Sequence, residues 1–124
     1  MNLLSGYIYI PVSNFDKAAE WYKNILGFDL VFTDKLYREL RSPSGLRIIL
    51  IERRFNVNSH MIYDDTGVQA VYGFTIDNAE AVHKELILKG LQPKKISDYQ
   101  GKSFGLADLD GNIIEFWEEV KQYP

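Results

Sequence analysis

The stretch Tyr7-Ile8-Tyr9-Ile10-Pro11-Val12-Ser13-Asn14-Phe15-Asp16-Lys17-Ala18-Ala19-Glu20-Trp21-Tyr22-Lys23-Asn24-Ile25-Leu26-Gly27-Phe28 reads as a strand, a capped helix and a stop. Tyr7–Val12 is a run rich in Tyr, Ile and Val, the composition of a β-strand. Ser13, with Asp16 three residues on, marks a helix start. Phe15, Ala18, Ala19, Tyr22 and Leu26 then fall on one helical face, and Gly27 supplies the closing cap.

The same plan returns 63 residues later. Val71–Ile76 is again a β-rich run, Asp77 with Glu80 again signals a helix start, and Gly90 again closes it. Asn14 maps to Asp77, and Gly27-Phe28 maps to Gly90-Leu91. Further on, Ser42-Pro43-Ser44-Gly45 matches Asp108-Leu109-Asp110-Gly111 at an offset of 66, with the extra residues placed around Ser97–Ser103. Each half reads strand, helix and three strands: Phe28–Thr33, Leu36–Arg41 and Leu46–Glu52 in the first, Leu91–Ile96, Ser103–Ala107 and Asn112–Glu118 in the second. The expected fold is α+β: two tandem βαβββ modules whose mixed sheet curves into an open barrel, with the helices outside. Residues 1–124 read as one domain, with module 1 over about 5–53, a connector over about 54–68 and module 2 over about 69–120. That polar connector holds Asn56, Asn58, Asp64, Asp65 and Gly67, and a loop of such length is usually functional or mobile.

Composition narrows the function. Of 124 residues, 46% are apolar and 14% aromatic, enough for a core. Fourteen basic and seventeen acidic side chains give a formal charge of −3, which offers nucleic acid no basic footprint. The absence of cysteine removes disulfides, thiolate catalysis and sulfur-ligated metal together, and suits a cytoplasmic protein. The apolar start reads as a first strand rather than a signal peptide, and no apolar run is long enough to span a bilayer. Gly101-Lys102-Ser103 is no phosphate loop, because Ile96 stands where that motif needs glycine.

The segment Ile10–Phe28 resembles the opening module of the vicinal-oxygen-chelate superfamily, the glyoxalase, bleomycin-resistance and extradiol-dioxygenase group. The ending Asp108-Leu109-Asp110-Gly111-Asn112-Ile113-Ile114-Glu115-Phe116-Trp117-Glu118 resembles its closing signature. The resemblance implies paired βαβββ modules, a ligand cleft inside the curved sheet, a homodimer and, in the metalloenzymes, a divalent ion held by four inward His, Gln or Glu side chains. Carried over singly, those four positions are Tyr7, Ile49, Ala70 and Glu115. One carboxylate and one phenol hold a hard or borderline ion poorly, so no metal and no cofactor is expected.

Alternation along strands suggests what lines the cleft instead. If Tyr7 faces inward, so does Tyr9. The same logic points Arg47 and Ile49, Tyr72 and Phe74, and Glu115 and Trp117 inward. Aromatic walls with a few polar groups are the makeup of a small-molecule site, although aromatics on strands also serve as core or dimer interface. Trp21 and Tyr22 read as packing, His83 as a half-buried helix residue and His60 as a loop residue. The leading expectation is a metal-free homodimer binding an aromatic or cationic ligand. The alternative is an enzyme of the same superfamily with a displaced metal site, or with Glu115 as general base.

Overall fold

The structure is a computed structural model that describes residues 1–54, 60–63, 67–98 and 100–120. The chain forms two compact units, Met1–Asn58 and Ser59–Pro124.

In the first unit, strand β1 (Ile8–Val12) leads into helix α1 (Phe15–Leu26), followed by β2 (Asp29–Thr33), β3 (Tyr37–Arg41) and β4 (Arg47–Glu52). The helix begins because Asn14, extended at φ −143°, turns its side-chain oxygen to the Lys17 N–H at 2.9 Å. It ends because Gly27, at φ 77°, takes the left-handed conformation that other residues pay to adopt. Ala18 and Tyr22 are buried from α1. Beneath them lie Ile10, Val12, Leu40, Ile48 and Leu50, all at 1% exposure or less. The sheet order is β1-β4-β3-β2, with β1 parallel to β4 and the remaining pairs antiparallel. Pro11 is tolerated because β1 is an edge strand.

The second unit opens with a hairpin, β5 (His60–Tyr63) against β6 (Gly67–Ala70). The expected connector is therefore partly ordered as strand; Asn56, Asn58, Asp64 and Asp65 lie outside the described residues. Then come β7 (Tyr72–Thr75), α2 (Ala79–Leu88), the two-residue β8 (Ser97–Asp98), β9 (Gly101–Ala107) and β10 (Ile113–Glu119), in the order β7-β10-β9-β8. Each unit thus holds a helix and a four-stranded mixed sheet, the βαβββ plan of the sequence.

Four expectations need correction. The cap of α1 is Asn14 rather than Ser13, and His60 begins strand β5 rather than lying in a loop. Leu91–Ile96 is not a strand: Pro93 has no N–H to give a ladder, and from this segment only Lys94 N–H reaches β9, donating to the Gly105 carbonyl at 2.8 Å. The cap of α2 is Asn78, not Asp77; its side chain accepts from Ala81 N–H at 3.0 Å. The second helix therefore starts 64 residues after the first, although Gly90 (φ 85°) still follows Gly27 by 63. The later turn holds because the buried Asp108 carboxylate accepts from the Asp110 and Asn112 N–H groups at 2.9 Å and from Asn112 Nδ2 at 2.8 Å.

Candidate functional site

The register of the first sheet divides its residues cleanly. Ile8, Ile48 and Leu40 align across three strands, as do Ile10, Leu50 and Arg38, and this face carries α1. On the other face one row holds Tyr9, Ile49 and Glu39, and the next holds Pro11, Ile51 and Tyr37. At the near end Arg47 pairs with Arg41, with Tyr7 just outside β1. Tyr7, Tyr9, Arg47 and Ile49, expected to share a face, lie together on it. They line a concavity of about 410 Å³ with Leu36, Tyr37, Glu39 and Ile51.

This surface is apolar yet open. Tyr7 and Tyr9 are each 53% exposed and meet edge to face, with ring centroids 5.2 Å apart. Phe32 and Tyr37 form a second pair at 5.8 Å, beside an adjoining concavity that Arg41 also lines. Tyr37 is half-buried, but leaving the other three rings this wet costs hydrophobic stabilisation, which is unusual unless something covers them.

Between the two aromatic pairs sits Glu39, only 9% exposed. Its carboxylate accepts from Arg41 Nε at 2.8 Å and from Arg47 Nε at 2.9 Å and Nη2 at 3.2 Å. Hydrogen bonds from Arg47 and then Arg41 pull its pKa down to about 2, against the opposing effect of burial. Arg47 also lies over the Tyr7 ring, 5.6 Å from its centroid. The Tyr9 phenol is held above its ordinary value, chiefly by its hydrogen bond with Tyr7.

Glu39, Tyr37, Phe32 and Arg41 were not singled out from the sequence. The signal was present in Leu36-Tyr37-Arg38-Glu39-Leu40-Arg41, whose odd positions Tyr37, Glu39 and Arg41 share a face by strand alternation.

In the second unit the expected grouping divides. Glu115 and Trp117 share one face of β10, but Tyr72 and Phe74 align with Ile114 and Phe116 on the other. Phe74 stands 6.4 Å from Phe116, which stacks on Phe104 at 5.3 Å, so Phe74 belongs to the packing layer. The residue beside Glu115 is Gly73. The reason is the one-residue offset at Asn78: the strand before α2 follows the true cap, which reverses its faces. Trp117 Nε1 donates to the Gln100 carbonyl at 3.1 Å, tying the turn before β9. His83 Nε2 donates to the Lys94 carbonyl (2.9 Å) and the ring packs against Phe104, a structural position.

The family's four metal positions supply a poor donor set. Ile49 offers no donor, nor does Ala70 or Val71, the residue that the 64-residue offset sets against Tyr7, and among the described residues no three His, Asp or Glu side chains gather as ligands. These residues do not fit a resident divalent ion. No helix among the described residues is long and apolar enough to cross a membrane.

A paired βαβββ plan with one open sheet face defines a small α+β protein of the glyoxalase fold. The model of the Glyoxalase/Bleomycin resistance protein/Dioxygenase superfamily matches residues 5–116, and the chain belongs to that superfamily. Among solved structures, it is similar to TnmS3, an antibiotic binding protein from Streptomyces sp. CB03234 (17% identity, 97% of this chain and 100% of that one, TM-score 0.73). It is also similar to a superfamily member from Sphaerobacter thermophilus (22%, 95% and 98%, 0.73) and to the fosfomycin resistance protein FosX from Listeria monocytogenes (16%, 97% and 96%, 0.73). At these identities the likeness is one of fold. Comparison with curated proteins finds no match.

Proposed function

We propose that the protein binds an aromatic small molecule on the open face of the β1-β4-β3-β2 sheet, without a metal, and that it does so as a homodimer. The observation that carries this reading is the double pair of rings, exposed Tyr7 with Tyr9 and exposed Phe32 with half-buried Tyr37, around an ionic centre already satisfied within the sheet. Rings give contact area with little rotamer entropy to lose, and offset or edge-to-face stacking suits a planar ligand. The names of two similar structures, an antibiotic binding protein and a fosfomycin resistance protein, point towards small-molecule ligands as well. A cationic ligand finds less support on this face, because the Glu39 carboxylate already serves two guanidiniums.

The test is a titration with 8-anilinonaphthalene-1-sulfonate, read by its fluorescence and by the shift in thermal midpoint. Saturable binding is expected, stabilising the fold by about 2.7 kcal/mol at a hundred times Kd. Tyr9→Ala and Tyr37→Ala each weaken it at least tenfold while the unliganded protein still unfolds cooperatively. Undiminished affinity in both variants sinks the proposed face.

A further inference from the structure

Strand β2 is the outer strand of the first sheet, and it carries a bulge. Asp29 pairs with Arg41 and Leu30 with Leu40, but Phe32 pairs with Glu39 and Thr33 with Arg38, so Val31 is the extra residue. In unbroken register Val31 would stand opposite Glu39, and Phe32 opposite Arg38 on the face that carries α1. The bulge turns Phe32 onto the open face instead, where its ring meets Tyr37. Bulges gather at sheet edges and beside active sites, where they re-aim a side chain. A ring turned away from the helix and left 51% exposed gives up packing, so this bulge serves the open face rather than the core.

The result is a concavity of about 440 Å³ lined by Val31, Phe32, Tyr37, Glu39 and Arg41. It holds none of the four positions at which the superfamily's metalloenzymes place their ion. Phe32 and Glu39 share one row of this face and Arg41 stands in the next, a step of about 7 Å. Within the ionic centre the Glu39 carboxylate is fully used, but Arg41 is not. Its Nε donates to Glu39 Oε2 at 2.8 Å, which fixes the guanidinium, while the side chain stays 52% exposed. Four of the five guanidinium N–H donors sit on Nη1 and Nη2. Among the described residues those four meet no acceptor. Asp29 stands opposite Arg41 in the register, yet the two form no ion pair.

We infer that the ligand of the aromatic face is an aromatic carboxylate, its ring on Phe32 and Tyr37 and its carboxylate on the two Nη groups of Arg41. The inference rests on the aromatic face as the binding surface and adds the ligand's charge. The free edge of a guanidinium matches a carboxylate with two parallel N–H···O bonds, and such charge-assisted pairs are stronger than neutral ones. A neutral ring laid over this concavity would strip water from those donors and return nothing. An ammonium would face two guanidiniums whose shared carboxylate is already taken.

The test is an amide NMR titration of the full chain at low salt with 2-naphthoate, 2-naphthamide and 2-(aminomethyl)naphthalene, which share a ring system and differ in charge. The acid is expected to bind at least tenfold more tightly than the amide, about 1.4 kcal/mol, with saturable shifts at Phe32 and Arg41, and the amine to bind most weakly. Arg41→Gln abolishes the preference for the acid, Asp29→Asn enlarges it, and Lys17→Gln on α1 leaves it as it is. Equal binding of acid and amide to the wild type overturns the inference without any variant. So does a preference that survives Arg41→Gln, shrinks in Asp29→Asn or is lost in Lys17→Gln. In each of these cases the aromatic face itself stands, because the rings still bind. Saturable binding by none of the three ligands overturns the face and the inference together.

Discussion

Arg47 reaches diagonally across the β3–β4 pair to Glu39, joining it at two points, Nε to Oε2 at 2.9 Å and Nη2 to Oε1 at 3.2 Å. Its direct register partner is Arg41, and Glu39 is paired with Ile49. Two guanidiniums side by side on one sheet face repel, so the carboxylate one row along is what makes that arrangement stable. The ion pair is a condition of the aromatic face rather than a free recognition group.

Acid should therefore weaken the first unit in a defined window. The folded pKa of Glu39, about 2, lies below its ordinary 4.5. A depressed carboxylate contributes stability that is fully present above the unfolded pKa and lost as pH falls from about 4.5 through about 2. With solvent still reaching Arg41, the loss is on the order of 1–2 kcal/mol. Thermal midpoints of wild type and Glu39→Gln measured across this range check it. The variant starts lower at neutral pH and converges on wild type at the acid end; parallel curves would contradict the ion pair.

Aromatic residues on the two faces of the sheets should respond very unequally to truncation. Phe116→Ala removes a ring 4% exposed and packed on Phe104, and is expected to cost about 3–5 kcal/mol. Tyr7→Ala removes a ring that is more than half exposed, and should cost about 1 kcal/mol or less. Denaturant midpoints with unchanged slope would establish the contrast.

The paired modules were legible because the signals that define them are local: a β-rich run, a cap, a helical face and a glycine stop. The sharing of a face by Tyr7, Tyr9, Arg47 and Ile49 followed from alternation counted within one module. The second module misled by one residue. Asp77 and Asn78 are both good caps, and sequence spacing to Gly90 favoured the wrong one, because α2 is shorter than α1. Strand periodicity turns such a slip into a reversal of faces, which is why Tyr72 and Phe74 exchanged places with Gly73. The Glu39 centre was legible only in part: alternation along β3 puts Tyr37, Glu39 and Arg41 on one face, but long-range pairing brings Arg47 beside them, and no local pattern encodes that.

The cap assignment can be tested directly. Asn78→Ala removes the acceptor for Ala81 N–H and should destabilise by about 1 kcal/mol, whereas Asp77→Ala should change stability by less than about 0.5 kcal/mol. Equal effects would move the start of α2 back by one residue and restore the 63-residue offset.

Gly73 and Gly105, which pair with Glu115 from β7 and β9, make opposite predictions for the same substitution. At Gly73 an added methyl meets backbone that cannot withdraw without parting β7 from β10, so Gly73→Ala should cost several kcal/mol or abolish folding. At Gly105 the methyl has room and the chain loses an entropic liability, so Gly105→Ala should be neutral or stabilise by about 0.5–1 kcal/mol. Urea denaturation of the two variants decides. A Gly105→Ala variant as damaged as Gly73→Ala would mean that packing demands glycine at both positions.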